Sequence, residues 1–151
     1  MNIILALDGS PCSERALEML LTQLSPTDAE VHVLHADDWP RNLPPAFTFT
    51  AGPDAAAHVE HSHELRRRQA QTMLDDAVRR LQSAGFNASS YMVEGDPRQV
   101  ILDAASAWPA DLVILGSHGR SGLDRVLLGS VSDSVSRHAR CSVQIVRSPR
   151  V

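Results

Sequence analysis

The sequence predicts an α/β fold: a single-domain three-layer α/β/α sandwich with a five-stranded parallel sheet and helices on both faces. Two observations and a handedness rule predict it. Short apolar runs alternate with helix-period segments throughout the chain, the order that builds parallel sheets. Right-handed crossovers then limit the topology. The runs open into Gly, Pro, Asp and Ser, as at Asp8-Gly9-Ser10-Pro11, Gly95-Asp96-Pro97 and Gly116-Ser117, which are turn and helix-start signals.

Ile3 to Leu7 is an apolar run ended by Asp8-Gly9-Ser10-Pro11, a buried strand and a turn. Ser10 is placed to cap the next helix, with Pro11 at its first position. Ala16, Leu17, Leu20, Leu21 and Leu24 recur at helical spacing, and Ser25-Pro26-Thr27-Asp28 stops that helix. Val31, Val33 and the residues around Leu34 to Ala36 form the second strand. From Asp37 to about Ala56 the chain holds Pro40, Pro44, Pro45 and Pro53 and no periodicity. A long flexible loop is expected there, over about residues 37–57. A helix follows from about Val59 to Ala84, with Leu65, Met73, Leu74, Ala77, Val78 and Leu81 inward and Gly85 as its stop. Ala88 to Val93 is the third strand. Val100, Ile101, Ala104 and Ala105 mark a helix that ends before Pro109. Leu112 to Leu115 is the fourth strand, Ser130 opens a helix to about Ala139, and Ser142 to Val146 is the fifth strand.

The totals suit one domain over residues 1–151, with 43% hydrophobic and 21% charged residues. A formal net charge of −4 gives no global pull toward nucleic acid or an anionic membrane. Any anion must be held locally. All fourteen basic residues are Arg, which removes lysine-based phosphate grips and Schiff bases. Cys12 and Cys141 lack CxxC spacing, so neither zinc nor a redox motif is expected, and a reduced, cytoplasmic compartment is. The apolar start Met1 to Leu7 is short for a secretory leader, and no stretch approaches a membrane span.

Gly116-Ser-His-Gly119 follows the fourth strand, and Gly129-Ser130 comes nine residues later. Spaced glycines between a buried strand and a helix start can form a nest of main-chain N–H groups for phosphate. The same glycines also serve as plain turn residues, and spacing alone does not choose. The pattern is neither a Walker loop nor GxGxxG.

Gly116-x2-Gly119-x9-Gly129-Ser130 resembles the nucleotide-binding signature of the universal stress protein family, in its ATP-binding branch. The resemblance runs through Leu112 to Leu123 and Leu128 to Val135. Ala6-Leu7-Asp8-Gly9-Ser10, Gly95-Asp96-Pro97 and Cys141 to Arg147 fit it too. It implies strand order 3-2-1-4-5 and ATP at the carboxyl edge of the first and fourth strands, with Mg²⁺ brought by the nucleotide. By this resemblance Ala6, Leu7 and Asp8 hold adenine and ribose, and Ala36 lies beside the adenine. Leu115, Gly116, Gly119, Gly129, Ser130 and Val131 surround ribose and phosphates. The family also implies a homodimer through Ser142–Val146. The expected function is a regulatory nucleotide-binding switch in the stress response, with at most weak ATP hydrolysis. The alternatives are a slow ATPase and a nucleotide-independent protein-interaction module.

Other residues have two readings. Asp8 in a turn before a helix is also a capping residue. Arg120 suits a phosphate or open solvent. His118 lies in the glycine loop without a nameable nucleophile or orienting carboxylate. His58, His61 and His63 with Glu60 and Glu64 form an incomplete ligand set, so a solvated helix start is the better reading. Arg66-Arg67-Arg68 and Arg79-Arg80, interrupted by Asp75 and Asp76, read as a solvated face. Trp39, Phe47 and Phe49 form either a lid on the adenosine or local packing.

Overall fold

A computed structural model describes residues 1–39, 45–118 and 128–147, without the side chains of 45–53 and 56. The described elements are β1 (Asn2–Ala6), α1 (Pro11–Gln23), β2 (Glu30–Asp37), α2 (Pro45–Ser83), β3 (Asn87–Glu94), α3 (Pro97–Ala107), β4 (Leu112–Gly116), α4 (Ser130–His138) and β5 (Ser142–Val146). The strands form one parallel sheet in the order β3-β2-β1-β4-β5, as expected. β1 is central, with Ala6 registered against Leu34 of β2 and Leu115 of β4. The chain winds outward from β1 to β3, then crosses back to β4. The winding therefore reverses between β1 and β4, where an open α/β sheet leaves a crevice at its carboxyl edge.

Strand side chains alternate between faces, and here both faces are covered. Ile3, Leu5, Val31 and Val33 pack against Leu17 and Leu20 of α1 and Leu74, Ala77 and Leu81 of α2. Ile4, Leu34, Val113 and Leu115 pack against Val100 and Ile101 of α3 and Val135 of α4. Burial on both sides explains why these strands are unbroken apolar runs.

The helix ends follow local chemistry. Ser10 caps α1, its side chain accepting the Ser13 N–H at 3.2 Å. Asp96 caps α3, accepting the Arg98 N–H at 2.9 Å. After α2 the chain turns through Gly85 at φ +92°, a left-handed conformation that suits glycine. The Phe86 N–H there bonds back to the Leu81 carbonyl.

One expectation is corrected. The stretch 37–57 is not a loop throughout: Asp37 ends β2, and α2 is already helical from Pro45. The sequence signal failed because helical periodicity reports burial. Asp54, Ala57, His58, Glu60 and His61 are all exposed, so this part of the helix needs no apolar stripe. Proline at the first helical position and the alanines at 55–57 favour helix without one.

Candidate functional site

A cavity of about 360 Å³ opens at the carboxyl ends of β1 and β4. Ala6, Leu7, Asp8, Ala36, Leu115, Gly116, Gly129, Ser130 and Val131 all line it. Residues from four separate stretches of sequence thus meet in one cleft. The remaining candidates, Gly119 and Arg120, lie outside the described residues.

The floor is set by the ends of the strands. The Leu7 N–H bonds to the Leu34 carbonyl at 2.9 Å. The Leu7 carbonyl meets Nδ1 of buried His35 at 2.8 Å. The chain then turns at Asp8, whose Oδ1 accepts the Ser10 N–H at 3.0 Å. Asp8 is therefore a turn-former, while Ser10 is the cap, and Asp8 also faces the cleft.

The glycines have reasons within the chain. A Cβ on Gly116 would lie 2.7 Å from Cys12 Cβ and 2.9 Å from Ser13 N. Gly116 is where the start of α1 crosses β4 at backbone distance. Gly129 has φ −62° and ψ 153°, a conformation open to any residue, so its φ does not require glycine. A Cβ there would sit 3.1 Å from the Ser117 carbonyl, the group that accepts the Gly129 N–H at 2.8 Å. Ser132 Oγ lies 2.9 Å from both the Ser117 and Gly129 carbonyls, and the Ser117 N–H reaches the Val146 carbonyl at 2.8 Å. These bonds hold the start of α4 against the end of β4.

The start of α4 differs from those of α1 and α3. Gly129 offers no side chain to cap it, and no side-chain cap bond forms among the described residues. The first-turn amides of a helix have no acceptor within the helix and carry the positive end of its dipole. Ser130, Val131 and Ser132 line the cleft. Nearby, Ser117 Oγ lies 3.0 Å from His118 Nδ1 and 3.8 Å from Cys12 Sγ. Cys12 and Cys141 are not joined in a disulfide, and burial raises the pKa of Cys141.

Asp38 and Arg66 also line the cleft, and the sequence reading missed both. Asp38 fell inside the supposed loop, and Arg66 belongs to an arginine run read as solvated. No periodic signal places the outer part of α2 beside the end of β2. Side-chain contacts make the connection there. His63 Nε2 and Asp37 Oδ2 are 2.9 Å apart, with side chains 13% and 9% exposed. The Trp39 ring stacks on His63, with centroids 5.2 Å apart and planes 11° from parallel. The Arg66 guanidinium lies 5.1 Å from the centre of the Trp39 ring, within cation–π range, and 3.8 Å from Asp38 Oδ1. Trp39 therefore packs on α2; the side chains of Phe47 and Phe49 lie outside the described residues. His63 is committed to Asp37, while His58 and His61 are exposed. Arg67 bonds to Glu94 and Arg68 to Glu64.

Burial works to raise the Asp37 pKa. The His63 hydrogen bond and charge, a backbone bond at Trp39 and the charge of Arg67 together outweigh it and hold the carboxyl below its ordinary value. A second groove, lined by Asp37, Trp39, Asp96 and Arg98, joins the cleft at Ser130 and Val131. Asp96 is lowered to about 2, chiefly by its hydrogen bonds with Arg98.

The Universal stress protein family profile matches residues 1–147. The chain belongs to the universal stress protein family. A universal stress protein of Methanocaldococcus jannaschii is 30% identical over 149 residues, covering 99% of this chain and 83% of its own length. Among solved structures, the universal stress protein UspA from Lactobacillus plantarum superposes with a TM-score of 0.81 at 22% identity, covering 97% of each chain. A family protein from Arabidopsis thaliana, solved with AMP bound, gives 0.68 at 19% identity over 99% of this chain and 92% of its own. The protein from Archaeoglobus fulgidus in complex with dAMP gives 0.66 at 20% identity, covering 97% of each. These likenesses establish the universal stress protein fold. No helix among the described residues is long and apolar enough to cross a membrane.

Proposed function

We propose that this universal stress protein binds an adenine nucleotide, ATP with its Mg²⁺, in the cleft at the ends of β1 and β4. The carrying observation is the convergence there of an apolar floor and a helix start without a side-chain cap. Ala6, Leu7 and Ala36 offer apolar surface to a purine and its ribose, and Asp8 offers carboxylate oxygen to ribose hydroxyls. Ser130 and Val131 bring main-chain amides to the phosphates, the natural anion partners of a helix start. Leu115 and Gly116 form the wall between; Gly119 and Arg120, which lie outside the described residues, are proposed as phosphate partners from the sequence pattern alone. AMP in the Arabidopsis thaliana relative and dAMP in the Archaeoglobus fulgidus relative support the nucleotide class.

The role is that of a regulatory switch in the stress response, with little or no turnover. The chain acts as one domain in the cytoplasm. It pairs with a second copy through β5, an outer strand of the sheet, because an open strand edge invites a partner.

Calorimetric titration of nucleotide-stripped protein tests the reading, with ATP and Mg²⁺ in one arm and AMP in the other. Saturable binding of ATP, tighter than AMP, is the expected result. No binding of either nucleotide overturns it.

A further inference from the structure

With glycine as its cap residue, α4 is held at its start from the opposite direction. The third helical residue, Ser132, reaches back. Its Oγ donates toward two carbonyls, those of Ser117 and Gly129, each at 2.9 Å. A hydroxyl carries one proton, so the two carbonyls share it. Ser13, at the same position of α1, likewise donates to its own cap carbonyl at 3.0 Å. What Ser132 adds is a carbonyl from beyond its own helix. The side chain is buried, with 1% of Ser132 exposed, so the hydroxyl is spent on these carbonyls rather than on water.

Ser117 is a firm anchor, because its own N–H is held by the Val146 carbonyl at the end of β5, at 2.8 Å. Two hydrogen bonds among the described residues tie the start of α4 to that anchor. One comes from the Gly129 N–H and the other from the Ser132 hydroxyl. One bond sets a distance and leaves the helix start free to pivot; two bonds from points three residues apart also set its direction. We infer that Ser132 is a positioning residue, whose hydroxyl aims the first-turn amides of α4 at the phosphates without touching them; the inference rests on the nucleotide-binding reading of this cleft. Donors aimed before the anion arrives need no ordering when it binds. Loss of the hydroxyl orphans neither carbonyl. Ser117 keeps the Gly129 N–H, and Gly129 keeps the Asp133 N–H at 2.9 Å. The fold therefore retains its main-chain bonds while the helix start gains freedom.

The test compares ATP with Mg²⁺ against adenosine, by calorimetry, on wild type, Ser132→Ala and Ser132→Cys. Adenosine has no phosphate for the α4 amides, so its affinity reports general damage to the cleft. Ser132→Ala should weaken ATP by about fivefold to tenfold, the scale of one hydrogen bond, and adenosine by less than about twofold. Ser132→Cys fills similar space with only a weak donor. It should shift the ratio in the same direction, and it supplies the comparison if Ser132→Ala does not fold. An unchanged ratio of ATP to adenosine affinity in a folded variant removes the positioning role, and so does an equal loss of both ligands. In either case nucleotide binding stands. If wild type binds neither ligand, both readings fall together.

Discussion

Gly116 has no room for a side chain. The missing Cβ is occupied by Cys12 Cβ at 2.7 Å and by α1 backbone at 2.9 Å, and backbone cannot rotate away as a flexible side chain would. Gly116→Ala should therefore destabilise the fold by about 1–3 kcal/mol, the usual cost of overpacking. Urea unfolding measures this, and a loss below about 0.5 kcal/mol would mean α1 moves aside. Asp37 gives a second residue-level expectation. Its carboxyl is held below its ordinary value, so it stabilises the fold above about pH 4, where the unfolded carboxyl is also ionised. That stabilisation is lost as pH falls through the folded pKa. Asp37→Asn should be less stable than wild type at pH 7, with the gap closing as pH falls below about 4 and through the folded pKa. Asp96 is lowered as well, but it is present in both proteins and cancels in the comparison. A gap that stays constant across this range would count against the ion pair with His63.

At the scale of the element, helix starts separate structural from functional chemistry. Ser10 serves α1 directly, so Ser10→Ala should cost about 1 kcal/mol of stability. Thermal unfolding checks this, and an unchanged midpoint would mean another group replaces the cap. The starts of α1 and α3 were legible because a capping side chain followed by proline is a short-range signal. So were the strands, because burial on both faces leaves unbroken apolar runs. The outer part of α2 was not, because exposed helix carries no apolar stripe. The site divides the same way. Residues at strand ends and the Gly129-Ser130 start were visible as motifs, and the structure brings the described ones together. Asp38 and Arg66 were hidden, since their meeting depends on how the outer part of α2 lies beside the end of β2. Gly116 was visible for a reason that turned out incomplete: its close neighbour is α1.

At the scale of the molecule, the cleft is walled by both helix layers. Arg66 comes from α2 on one face of the sheet, and Pro97, Ile101 and Ser130 to Ser132 come from α3 and α4 on the other. A ligand seated there bridges helix layers on opposite faces of the sheet, so its binding should stabilise the whole fold. At a concentration of one hundred times the dissociation constant, mass action adds about 2.7 kcal/mol. ATP with Mg²⁺ should raise the melting temperature of nucleotide-stripped protein, and adenosine should raise it less because it leaves the α4 amides uncapped. The site of protection matters as much as the size of the shift. Amide hydrogen exchange should slow most in the first turn of α4, at residues 130–132, whose N–H groups have no acceptor within the helix. The carboxyl end of α3, on the opposite edge of the sheet, should gain no local protection beyond the global increase. A melting shift without extra protection at 130–132 would place the nucleotide elsewhere and return the Gly129-Ser130 start to a purely structural role.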